Sequence, residues 1–124
     1  MTGVDYLTLE DLLLMVRRLG VGPVRDLGLL DAAVARPRSS AYGAEAYPTL
    51  PFKAAALLHS IVSSHALVDG NKRLGWLATT VLLDINGAAV QLDQDDAFRL
   101  VLTVAGEDLK LQEIADQLVG IPPL

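Results

Sequence analysis

From Asn71 to Asn86 the chain is apolar over most of a helical circumference. Leu74, Leu77, Ala78, Val81, Leu82 and Ile85 fall on one stripe, and Trp76, Thr80 and Leu83 add a second. A helix with so little polar surface needs neighbours on several sides, so it belongs at the centre of a helical bundle. The chain can supply them. Its 124 residues bury roughly two-thirds of their unfolded surface in a single core, 52% of them are hydrophobic, and two ordinary domains would not fit. A single domain over residues 1–124 is expected.

The neighbouring helices can be read from periodicity and punctuation. Thr8 precedes Leu9, Leu12, Leu13, Val16 and Leu19, with Glu10 and Asp11 in the first turn and Arg17 and Arg18 in the last. Gly20 and Gly22-Pro23 stop this helix. A short second helix is expected from about Leu27 to Ala35, ended by Pro37. A third starts near Pro51 or Phe52 and runs through Ala55, Leu58, Ile61 and Val62 to about Ser64. After the central helix and its Asn86-Gly87 stop come a helix from about Asp93 to Ala105, with an acidic first turn, and a last one from about Leu111 to Val119. Ala88 to Leu92 has strand character but no clear partner. Six helices and almost no sheet define an all-α bundle.

Arg36 to Pro51 carries two of the three tyrosines and reads as a long irregular loop. Loops of that length in a small domain usually serve function, and a flap bordering a cleft is the expectation.

Several function classes are excluded or disfavoured. No apolar run approaches the ~18 residues that span a bilayer, and Glu10 and Asp11 interrupt the stretch that would imitate a signal peptide. A cytoplasmic protein is expected. The absence of cysteine removes disulfides and thiolate metal sites. A net charge of −5 argues against direct nucleic-acid binding.

Chemically capable residues gather in His65-Ala66-Leu67-Val68-Asp69-Gly70-Asn71-Lys72-Arg73. Lys72 and Arg73 fall in the first turn of the central helix, where unsatisfied N–H groups and the positive end of the macrodipole disfavour cations by about 0.3–1 kcal/mol each. Something negative should compensate. Asp69 is able to do so as a cap and ion-pair partner. The sharper reading is a phosphate on the helix terminus, approached closely at Gly70 and clamped by Lys72 and Arg73. A polyphosphate usually brings Mg²⁺, which needs only one or two protein carboxylates, and Asp69 would supply one. Asn71 suits either a cap or a phosphate contact. His65, at the end of the preceding helix, is near enough in sequence to take a proton from an attacking hydroxyl. His59 lies inside its helix without chemical neighbours and reads as structural.

The nine-residue stretch resembles the core motif of the Fic/Doc family, His-x-Phe-x-Asp/Glu-Gly-Asn-Gly/Lys-Arg, in the lysine form of the Doc toxins. The likeness extends from about Leu29 to Val90. It implies the compact helical Fic core, His65 as general base, Asp69 as the Mg²⁺ ligand, and Gly70, Asn71, Lys72 and Arg73 as the anion hole for ATP phosphates. It also implies a flap that positions a target chain, which suits Arg36 to Pro51. Doc-like members are protein kinases that move the γ-phosphate of ATP onto a threonine of elongation factor Tu, arresting translation. A Phd-like antitoxin is the implied partner, folding a C-terminal segment as a helix in a groove of the toxin.

Departures from the general pattern bear on the reaction. Adenylylating relatives usually carry glycine where this chain has Lys72, and a second arginine where it has Trp76, which favours terminal phosphoryl transfer over nucleotidyl transfer. Leu67 replaces the family's phenylalanine and is expected to keep the loop anchored with less bulk. Thr103 to Asp108 partly imitates an inhibitory Ser/Thr-x-x-x-Glu signature and is assigned to ordinary structure. A protein adenylyltransferase and a catalytically silent nucleotide- or antitoxin-binding module stand as the alternatives.

Overall fold

The computed structural model describes residues 3–106 and 109–120. Its elements are α1 (Leu9–Leu19), α2 (Leu27–Ala35), a 3-10 turn (Arg36–Arg38), β1 (Ser40–Ala41), β2 (Ala44–Glu45), α3 (Leu50–Ser64), α4 (Asn71–Ile85), α5 (Gln94–Ala105) and α6 (Leu111–Leu118). The expected all-α bundle is what the chain forms. Glu107 and Asp108, the end of the segment resembling an inhibitory signature, lie outside the described residues.

Local chemistry accounts for the helix boundaries. Thr8, Asp26, Thr49 and Asp93 each accept a backbone N–H from the first turn of α1, α2, α3 and α5. Thr8 and Asp11 do so reciprocally, at 3.1 and 2.8 Å. Gly20 closes α1 in the left-handed region at φ 68°.

α4 lies in the core as its sequence requires, with Leu74, Gly75, Ala78, Thr79, Leu82 and Leu83 buried. α3 runs deeper still. Its residues 53–58 are all buried, and it packs against α2, α4, α5 and α6. The alanines at 54–56 give α3 a thin waist that lets its neighbours approach. Gly75 does the same from α4, where a Cβ would meet Val62 Cγ2 at 2.8 Å. The buried Thr79 hydroxyl donates to the Gly75 carbonyl at 2.7 Å, so no polar group is stranded there.

Ala88 to Leu92 forms no strand; this stretch has no regular secondary structure and is tied to the end of α6 by a bond from Gln91 N to the Leu118 carbonyl. Asn86 joins the chain's start to the end of α4, accepting from Asp5 N and donating to its carbonyl, both at 2.8 Å.

The Arg36 to Pro51 loop is more ordered than its composition announces. β1 and β2 pair antiparallel, Ser40 opposite Glu45 and Ala41 opposite Ala44, around Tyr42 and Gly43. Both turn residues have positive φ, 54° and 79°, as a tight two-residue hairpin demands. Two cations fasten this flap to α3. Arg36 Nε donates to the Tyr47 hydroxyl at 2.7 Å, while its Nη1 reaches Ser60 Oγ at 2.8 Å and His59 Nδ1 at 3.0 Å. His59 is thus one of the partners that hold Arg36. Lys53, fully buried on α3, donates to Glu45 Oε1 at 2.8 Å and to the Tyr47 carbonyl.

For Lys53, desolvation works to lower the ammonium pKa, yet the bonds and charges of Glu45 and Tyr6 outweigh it and leave the pKa above the ordinary 10.5. A raised lysine pKa stabilises the fold fully below the unfolded value and loses that contribution as pH climbs through the folded one. Lys53→Met should therefore cost about 1–3 kcal/mol in urea unfolding at neutral pH. It should also speed proteolytic cutting within residues 40–48, and the difference from the parent should shrink above pH 10.5.

Candidate functional site in the loop before α4

The loop between α3 and α4 is held almost entirely through its backbone. Arg25 N and Asp26 N donate to the Ala66 carbonyl at 2.7 and 3.1 Å, Val68 N donates to the Pro23 carbonyl at 2.9 Å, and Gly22 N to the Asp69 carbonyl at 2.9 Å. Val24 and Leu67 face each other as an antiparallel bridge. The α1–α2 connection, residues 21–26, is in effect a short strap across the motif. Asn71 completes it from the other side: its Oδ1 accepts Leu67 N and its Nδ2 donates to the Leu67 carbonyl, both at 2.9 Å. The Leu67 side chain is buried, so the leucine in place of phenylalanine still anchors the loop.

These bonds fix the loop without using its charged side chains. His65, Asp69, Lys72 and Arg73 are all exposed. The Asp69 and Arg73 side chains are 81% and 60% exposed and only 3.8 Å apart, a loose pair worth little in stability. Lys72 has no hydrogen-bond or ion-pair partner among the described residues. His65 ends α3 in the left-handed region, φ 55° and ψ 41°, which turns the chain sharply from helix into loop.

Two sequence expectations take a definite form. Asp69 does not cap α4; the N-cap is Gly70, with no side-chain cap bond, so the first-turn amides of Asn71, Lys72 and Arg73 have no acceptor among the described residues. Asn71 spends its side chain on the loop rather than on a cap of α4. Gly70 is already required by the fold, since φ is 93° and a Cβ would lie 2.4 Å from Val21 Cβ.

Beside these cations a cavity of about 750 Å³ opens between α4 and α5. Lys72 and Arg73 stand on its wall together with Trp76, Leu92, Phe98 and Val101. A charged end and an apolar body suit an anionic ligand with a flat apolar part.

Sequence reasoning missed the strap, Arg25, Arg36 and Lys53. The strap carries no composition signal beyond its glycine and proline, and the three cations look like ordinary solvated charges until their distant partners are known.

Comparison with known proteins bears on this constellation. The sequence profile of the Fic/DOC family matches residues 5–83, which include the strap, the flap, the motif loop and most of α4. Toxin Doc from Mycolicibacterium smegmatis is 50% identical over 120 residues, covering 94% of this chain and 92% of that protein. The motif at positions 65–73, its helical setting and these two matches agree, and the chain belongs to the Fic/DOC family.

Proposed function

We propose that the protein is the toxin of a toxin-antitoxin pair, a protein kinase that moves the γ-phosphate of ATP to a hydroxyl of a translation factor resembling elongation factor Tu. The observation that carries the chemistry is the uncapped N-terminus of α4, with free amides at Asn71, Lys72 and Arg73 and two cations in the same turn. α1, α2, α3 and α5 each meet one first-turn amide with their own Thr or Asp, whereas α4, like α6, has no such side-chain bond. An external anion would satisfy this one. The similarity to a protein called Toxin Doc supports the toxin reading.

In this reading the triphosphate lies on the α4 amides, Lys72 and Arg73, and the base occupies the apolar cavity along Trp76 and Phe98. His65 takes the proton of the attacking target hydroxyl as its oxygen bonds to the γ-phosphorus and ADP departs. Strap and Asn71 keep that geometry fixed, so little reorganisation accompanies the step. The choice of the terminal phosphate rests on Lys72 standing where adenylylating relatives have glycine and on Trp76 standing in place of a second arginine. Both side chains border the cavity.

Among the described residues no three His, Asp or Glu side chains gather in a way that would hold a metal by themselves. The donor set fits a Mg²⁺ carried in on phosphate oxygens, with Asp69 as its single protein carboxylate. Such an ion would neutralise phosphate charge. The partner is a Phd-like antitoxin, and Phe98 and Leu102, exposed on the cavity wall, are the kind of side chain it would cover.

The decisive test adds Mg²⁺ and either γ-labelled or α-labelled ATP to the protein in a translation extract. Label from the γ position alone, on a protein the size of elongation factor Tu, is the expected result; label from the α position would mean adenylylation. His65→Ala should lower transfer by at least about 10²-fold without unfolding the protein. His65→Asn, which tolerates the left-handed backbone better, should behave alike. Nucleotide binding with no transfer, indifferent to either change, would mean a silent module. Asp69→Ala should shift the Mg²⁺ titration to higher concentration as well as reduce turnover; an unmoved titration would remove Asp69 from the metal.

A further inference from the structure

His65 has a left-handed backbone that costs a residue with a side chain about 1 kcal/mol. The strap holds Ala66, Val68 and Asp69 directly through backbone bonds. At His65 its only polar hold is a side chain: Arg25, 40 residues earlier, donates Nε to the His65 carbonyl at 3.0 Å and points Nη2 at the same oxygen. Both donors of one planar edge thus converge on a single acceptor, a geometry that fixes direction as well as distance. The acceptor sits at the C-terminal end of α3, where the helix leaves carbonyls unpaired and favours a cation.

Among the described residues nothing else explains this arginine. It is exposed, has no carboxylate partner among the described residues, and its side chain makes no other hydrogen bond there. Its backbone N–H already joins the strap to Ala66, so the fold does not need the guanidinium to keep the strap in place.

We propose that Arg25 is a positioning residue for His65, holding the αL turn through the His65 carbonyl so that the imidazole stays aimed at the target hydroxyl. The inference rests on the reading of His65 as the base. With the guanidinium gone, the carbonyl returns to water and the turn at residue 65 loosens. The imidazole then spends less time in the productive orientation, while the phosphate site on α4, held by other contacts, is unaffected.

The test measures γ-label transfer in the translation extract for the parent, Arg25→Ala, Arg25→Lys, His65→Ala and the Arg25→Ala/His65→Ala pair, with melting temperatures for each. Arg25→Ala should lower kcat by about 10- to 100-fold, leave the KM for ATP within about twofold and leave the melting temperature unchanged. Arg25→Lys, with a point charge in place of the planar pair, should fall between it and the parent. In the His65→Ala background, Arg25→Ala should cause no further loss, because the arginine acts through the missing imidazole. Parental kcat in Arg25→Ala alongside an inactive His65→Ala would overturn the positioning role and leave the base assignment standing. Equal losses in both Arg25 variants, tracking equal falls in melting temperature, would make the contact structural and also overturn it. An active His65→Ala would remove the base and the positioning role together.

Discussion

The pairing of the α1–α2 strap with the motif loop is the constraint on which the rest of the site depends. A loop that turns from a helix ending at His65 into a new helix at Asn71 has polar backbone to satisfy within a few residues. Here the Ala66, Leu67 and Asp69 carbonyls and the Leu67 and Val68 amides are met internally, by residues 22, 23, 25 and 26 on one side and by the Asn71 amide on the other. With the buried Leu67 as its anchor, the loop becomes part of the bundle. The side chains of His65, Asp69, Lys72 and Arg73 are left exposed on it.

The same logic explains how a small helical protein holds a flap. Its hairpin has only two residues per strand, too short to be stable alone. Arg36 and Lys53 secure it from beneath, each binding Tyr47, one at its hydroxyl and the other at its carbonyl. Lys53 is a costly choice, a buried ammonium, and it is tolerated because Glu45 and the Tyr47 carbonyl come to it. Tyr42 at the tip stays fully exposed.

Much of this was legible in the sequence, and the reason is local physics. Thr8, Asp93, Gly20 and Asn86-Gly87 mark helix ends through bonds to residues within one turn, Pro51 marks one through its fixed φ, and the apolar spacing of Leu74 to Ile85 marks a core helix without reference to anything distant. The motif at 65–73 is contiguous and so readable. What escaped was set by partners far along the chain. Arg25 meets His65 across 40 residues, and Arg36 meets Ser60 across 24. Gly70 shows both sides: a glycine before a helix reads as room for a phosphate, yet its contact with Val21 makes it obligatory for packing as well.

The central claim is that the free amides of α4 receive the phosphates of a nucleotide. Amide NMR spectra of the protein titrated with Mg²⁺ and ATP test it most directly. The account predicts saturable shifts at Asn71, Lys72 and Arg73, accompanied by Trp76 in the adjoining cavity, with little change at the ends of the other helices. Saturable shifts confined to another surface, or none at any concentration where the protein transfers label, would contradict it.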